Sequence, residues 1–419
     1  MKKVSLIVIK KKNLVLGLAG FIVCLAAIII FSGLLTDNDR SITATNENSS
    51  YVIFGMNDLG MHCYREDFSS FLILPPGNTI KVQVFKNEGK TAELVTSGIV
   101  LTYEIINNTE SASKTNFWEY AKDYGYDVPP NIGITGNGLK GSLKLSADKK
   151  YYEVTFIPVT PFLDGSTKLE PYQMARITVK EANTGKVLAQ TDKIVVPVSD
   201  EMSCSVCHGT ENTDANILKA HDKLSKTNLV GDLAKGKRYK CSDCHKDNVL
   251  GMAGKPGVLP LSEAMHGFHA DKMELSNITP LCSTCHPGPV TKCYRGRMFI
   301  AGITCYDPNC HGDMENIAKT QAEGREAWLQ EPECSACHGA AYGANPDTLY
   351  RNSYLMNAPS KEMNGIIQCE SCHNSPHAIW KSSLDKDNLL PISLQGFADY
   401  IKKCSVCHEG RGTVHQKPG

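Results

Sequence analysis

The chain has 419 residues, too many for one ordinary hydrophobic core, so two domains with extensions are expected. Its 44 basic and 44 acidic residues cancel, which gives no sign of a nucleic-acid-binding protein. With 42% hydrophobic and 21% charged residues, the composition excludes wholesale disorder and a multi-span membrane protein.

Lys2, Lys3, Lys10, Lys11 and Lys12 precede an apolar run of 22 residues, Leu14 to Leu35. That is about the length that crosses a bilayer and longer than a signal-peptide core of roughly 7–15 residues. Lysines stay on the cytoplasmic side, so residues 1–36 read as a signal or transmembrane helix, retained as an anchor, with the rest exported. Residues 37–50 are polar and read as a linker.

From 51 to 200 the text is strand-like. Ile80–Phe85, Gly98–Ile106 and Tyr151–Ile157 are rich in β-branched and aromatic residues, and Asn183-Thr184-Gly185 between Arg176–Lys180 and Val187–Gln190 is a hairpin signal. Short strands separated by Gly, Pro and Asn turns predict a β-sandwich-like domain. The Gly-rich stretch Gly133–Gly141 lacks the strand-to-helix context of a phosphate loop and reads as turns.

Cysteine and histidine are unevenly placed. Between Thr36 and Asp200 there is one of each; from Glu201 onward there are fifteen Cys and twelve His. Asp214–Leu224 and Ser262–Met273 read as helices, and the rest of 201–419 as short pieces with too little apolar periodicity to build a normal core. Something other than side chains must fill that interior.

Six times the text reads Cys-x-x-Cys-His: Cys204/Cys207/His208, Cys241/Cys244/His245, Cys282/Cys285/His286, Cys334/Cys337/His338, Cys369/Cys372/His373 and Cys404/Cys407/His408. At these frequencies chance gives roughly 0.02 occurrences, so six identify the c-type haem attachment motif. Two thiols at that spacing reach the two vinyl groups of one haem, and the adjacent histidine reaches its iron. Structural zinc would not demand a histidine after each second cysteine, and a thioredoxin-like pair would occur once. Cys305-Tyr-Asp-Pro-Asn-Cys310-His311 reads as a seventh, widened site. Cys293 competes with Cys305 there, because Cys293 with Cys310 makes a Cys-x16-Cys-His motif resembling the attachment at the active haem of multihaem sulfite reductases. Alternatively Cys293 is free to form a disulfide with Cys63.

Seven proximal histidines leave six others as distal-ligand candidates: His62, His221, His266, His269, His377 and His415. His266 and His269, three apart on one helix, can serve two adjacent haems. His377 follows His373 too closely to reach its own haem's far side, so it serves a neighbour. One iron is left short, to be met by Met298, Met314, a lysine, another chain, or nothing.

The chain resembles the exported multihaem c-type cytochromes of metal-respiring anaerobes, on Gly55–Cys63, Asn116–Ala121, Gly133–Gly136, Asn216–Asp222, Ala264–Ala270, Cys285–Pro289 and Ser375–Ile379. The resemblance implies bis-histidine haems stacked for electron transfer, and in some members cell-surface conduits or filaments. The expected architecture is multidomain: a transmembrane or signal helix, a β-sandwich-like domain over 51–200, and a heptahaem cytochrome c domain over 201–419 with little regular secondary structure and short helices. Seven covalent haem c groups are expected. The expected function is electron relay to redox protein partners or an extracellular acceptor, from a membrane-anchored, periplasmic or cell-surface position, with a homo-oligomer or filament as assembly. The alternative is a reductase of a small oxyanion at one open haem, the odd site first, with Lys292, Arg295 and Arg297 as cationic neighbours.

Overall fold

The computed structural model describes residues 49–88, 91–275, 282–332, 334–338 and 367–408. Two sheets build the first part. One runs β1 (Tyr51–Asn57), β4 (Ile80–Glu88), β9 (Tyr152–Val154), β8 (Lys144–Leu145), with β5 (Thr91–Leu94) also on β4. The other runs β2 (His62–Cys63), β11 (Val187–Ser199), β10 (Tyr172–Glu181), β6 (Ile99–Ile106), β7 (Lys140–Ser142). Period-2 alternation sets their inner faces: Ile53, Val82 and Val84 meet Leu101, Tyr103, Ile105, Ala175, Ile177, Val179, Ile194 and Val196 in one cluster.

β1 is buried along nearly its whole length, because its other face is also covered. Val52, Phe54 and Phe85 pack beneath Ile367, Cys372, Trp380, Leu390, Ile401 and Val406 from the C-terminal part. A strand covered on both faces reads as the unbroken apolar run Tyr51–Phe54 shows. At the edge of the fold, β12 (Tyr239–Lys240) pairs in parallel with β3 (Phe71–Leu72), and Arg238 donates to Ser69 O at 2.6 Å and Asp123 Oδ2 at 2.8 Å.

The architecture expected from the sequence needs correction in two respects. Residues 201–408 carry ordinary helices among their turns: the two expected, α1 (Thr213–Ser225) and α2 (Leu261–Leu275), and also α3 (Met314–Ala322) and α4 (Leu389–Gln395), not expected from the sequence. Leu390 of α4 packs in the cluster that covers β1, and the described residues form a mixed α/β fold. Secondly, no helix among the described residues is long and apolar enough to cross a membrane. The described residues therefore carry no support for the membrane-anchored fold class, the membrane partner and the anchored localisation expected from the sequence. The run 14–35 on which they rested lies outside the described residues.

At one surface loop Asp164 accepts from Lys114 Nζ at 2.7 Å and from Thr109 N and Oγ1. Burial alone would raise its pKa; the bonds from Lys114 and Thr109 more than offset that and hold it at about 2. A carboxyl depressed in the fold adds stability above its unfolded pKa and loses it as pH falls toward the folded one. Asp164 is a third exposed, so solvent screening keeps the effect under about 1 kcal/mol. Asp164→Asn should lower stability near pH 6 by that small amount and leave it unchanged at pH 2, read by urea unfolding at both pH values.

Candidate cofactor site

The Cys-x-x-Cys-His motifs fold as about one helical turn. His208 N donates to Cys204 O at 3.0 Å, His245 N to Cys241 O at 3.0 Å, His286 N to Cys282 O at 2.9 Å and His408 N to Cys404 O at 2.8 Å. A turn of this kind puts residues i, i+3 and i+4 on one side, so two thiols and one imidazole leave the backbone together. The widened motif reaches a similar turn by a different register: Cys310 N bonds Asp307 O at 2.8 Å, so Asp307 occupies the position of a first cysteine and Cys305 stands two residues earlier.

Cys244 is placed differently from Cys207, which lies inside the helical turn Ser205–His208. The second motif turns as a tighter 3-10 helix over Cys241–Asp243, and Cys244 caps it at φ −119° and ψ −37° instead of lying inside an α-turn. The chain that follows packs against this turn. Lys255 N donates to Cys244 O at 2.8 Å, and Gly254, at φ +68°, packs so closely that a Cβ there would meet the same oxygen at 2.9 Å. Cys244 N still bonds Cys241 O at 3.2 Å, so the two thiols stay on one side of the turn. Cys407 of the last motif likewise follows a 3-10 turn, at φ −111°.

Four motif histidines each face one histidine from outside the motifs. Ring centres are 6.5 Å apart for His208–His269, 6.3 Å for His245–His221, 6.0 Å for His286–His266 and 6.2 Å for His311–His377. A direct hydrogen bond between two imidazoles would bring their centres to about 5 Å. Two imidazoles bound to one metal on opposite sides, with bonds of about 2 Å and about 1.1 Å from nitrogen to ring centre, stand about 6.2 Å apart. The observed spacings match the second figure. None of the eight rings is buried: seven are half-exposed and His286 is exposed, as expected of rings that line a gap.

The second nitrogen of these rings is also fixed. His266 Nδ1 meets Ser262 O at 2.7 Å, His269 Nδ1 meets Met265 O at 2.8 Å and His245 Nδ1 meets Leu259 O at 2.7 Å. A carbonyl only accepts, so Nδ1 carries the proton and Nε2 keeps its lone pair, the form that binds iron. On α2 the anchoring carbonyls are the helix's own, four residues back, which puts His266 and His269 on successive sites. His221 Nδ1 meets Thr227 Oγ1 at 3.0 Å, and His377 Nδ1 lies 3.6 Å from Cys293 Sγ. Desolvation, helped by neighbouring histidines or arginines, lowers the pKa of His208, His221, His266 and His311. Desolvation, with His311 and Arg295 nearby, brings His377 down to about 4, so this ring is neutral at pH 7.

Attachment thiols of different motifs are neighbours. Arg65 acts on both Cys204 and Cys241, and Cys285 feels Cys204 and Cys207. The Cys305 thiol hydrogen-bonds Cys282 and, with Tyr306, lowers it to about 6, while Cys305 itself is raised. Cys310 feels Cys337, and Cys407 feels Cys372. Thiols of the first and third, third and widened, widened and fourth, and fifth and sixth motifs are therefore close enough to influence one another.

Other expected residues are placed differently. His62 Nε2 is held by Asp58 Oδ1 at 2.6 Å. His373 stacks on Tyr400 with ring centres 5.1 Å apart. His415 and the side chain of His338 lie outside the described residues. Arg295 is buried in an ion pair with Asp387, 2.7 Å from Nε to Oδ2, and Arg297 pairs with Asp399, so neither is a loose cation beside the widened motif. Among the described residues no group of three or more His, Cys, Asp or Glu could hold a metal ion, so none supports the metal binding expected from the sequence.

Several positioning groups carry no sequence signal. Glu201 accepts from Thr291 N at 2.8 Å and Oγ1 at 2.6 Å and from Val290 N at 3.1 Å, fixing the loop after the third motif. Arg295 N and Gly296 N both donate to His377 O at 2.9 Å. A Cβ on Gly60, whose φ is +100°, would meet His377 Cβ at 2.8 Å.

Residues 281–374 match the family model described as cytochrome c554 and c-prime. The match starts one residue before Cys282 and ends one after His373, so it takes in four motifs and this stretch is cytochrome c-like. No curated protein and no solved structure matches the chain.

Proposed function

We propose that the chain is a multihaem c-type cytochrome that carries electrons through up to seven covalently held haems. The observation that carries this reading is the set of four histidine pairs with ring centres 6.0–6.5 Å apart. When bound, haem iron supplies reversible one-electron chemistry. The chain's own residues do the rest. The cysteines of each turn would hold one haem at two points, and the four histidine pairs would supply imidazole nitrogens to its iron. Backbone carbonyls on Nδ1 orient the rings and raise their basicity. Neighbouring attachment sites keep the transfer path short.

The reductase alternative looked for an open iron position at the widened motif. His377 stands across from His311 there, which favours the carrier. Haem content per chain by pyridine haemochrome tests the proposal. Seven equivalents are expected in the native protein and six after Cys282→Ser with Cys285→Ser. A content of one or none would overturn it.

A further inference from the structure

Two described cysteines lie outside the attachment motifs, Cys63 and Cys293. Neither precedes a histidine; Tyr64 and Tyr294 follow them. Cys63 ends β2, where it pairs with Ser199 of β11, and Ser199 Oγ contacts Thr291 Oγ1 at 2.6 Å. On the other side, one atom, Arg295 Nη1, donates to Gly60 O at 2.7 Å and to Cys293 O at 2.9 Å. Segments 60–63 and 291–295 are thus clamped together at two points, three or fewer residues from each thiol. Between the clamps the two thiols are electrostatic neighbours.

We propose that Cys63 and Cys293 close into a disulfide that ties the sheets to the segment holding His377. The bond forms by exchange with the disulfide of a thiol–disulfide oxidoreductase. Both S–H bonds are lost, one S–S bond forms, and the two electrons and two protons leave with the partner, which becomes a dithiol. The cysteines are 230 positions apart, and closing so long a loop removes much freedom from the unfolded chain. The bond also acts on the site, because Cys293 Sγ is the atom beside His377 Nδ1. His377 is then fixed from three directions: by the backbone N–H groups of Arg295 and Gly296 on its carbonyl, by Gly60 against its Cβ, and by a sulfur that can no longer rotate. The pairing does not depend on the haem reading.

The test uses the full chain, denatured and alkylated with iodoacetamide without reductant, then digested with trypsin. Cleavage after Arg40, Arg65, Lys292 and Arg295 releases fragments 41–65 and 293–295. The expected result is one species joining them, lighter than their sum by two hydrogens and lost on reduction. Carbamidomethyl groups on both cysteines would overturn the proposal. A haem mass on 293–295 would also overturn it, assigning Cys293 to the widened motif. In Cys63→Ser, Cys293 should become alkylated without reduction; if it stays blocked, the proposal fails. Haem-bearing fragments are read in the same digest, so failure of the haem reading is seen separately.

Discussion

His266→Ala and His269→Ala should each convert one low-spin iron per chain to high spin. The two rings lie three residues apart on α2 and face different motif histidines, His286 at 6.0 Å and His208 at 6.5 Å. Their Nδ1 atoms are anchored on Ser262 O and Met265 O, within the helix, so removing one ring leaves the other's anchor intact. The effects should therefore add, with two high-spin irons in the double variant. EPR with spin quantified per chain reads this directly. His266→Met distinguishes ligation from a structural role: a thioether restores six-coordination and raises that site's potential, whereas Ala leaves it open. Spectra unchanged in both single variants would remove the assigned pairs.

Arg295→Met should be the most damaging single change outside the histidines. Arg295 and Asp387 are each 1% exposed, joined by Nε–Oδ2 at 2.7 Å and Nη2–Oδ1 at 2.9 Å. Removing one partner of such a pair strands a buried charge and costs about 3–5 kcal/mol. Gly60 O and Cys293 O lose their shared donor as well. Replacing both partners, Arg295→Met with Asp387→Leu, should recover much of the loss, because the desolvation of two charges disappears with them. Urea unfolding of both variants reads the difference. If Arg295→Met alone costs under about 1 kcal/mol, the pair is not structurally important.

The site was far more legible in the sequence than the fold. Attachment motifs are local, and their one-turn geometry follows from a five-residue stretch, so Cys204 to His208 or Cys282 to His286 can be read without knowing anything distant. The tighter turns before Cys244 and Cys407 are not legible in this way; at Cys244, Gly254 and Lys255 from outside the motif pack against the turn. The i, i+3 spacing of His266 and His269 is equally local, and so is the placement of His377 four residues after His373. The pairing of His221 with His245 or of His311 with His377 is not, since no periodicity links them. The helices after residue 201 were underestimated for a related reason. α3 and α4 cover surfaces made by distant segments, so their apolar pattern looks incomplete in isolation. The buried pair Arg295–Asp387 reads from the sequence as two ordinary surface charges. A continuous apolar run at Val52–Phe54 was the one sign that β1 is covered on both faces, and it does not say by what.

That double covering has a consequence for the order of events in biogenesis. Cys372 is buried and Cys407 packs against the same cluster that seals Val52, Phe54 and Phe85. On the proposed reading, an enzyme that joins haem to these thiols would need them accessible and would have to act before the lid closes. The first strand of the chain consequently waits, half naked, for some of its last residues, across more than 300 positions of intervening sequence. Maturation at the final two sites and completion of the first sheet are then one irreversible commitment, and a chain released before residue 367 carries an open greasy face that invites self-association.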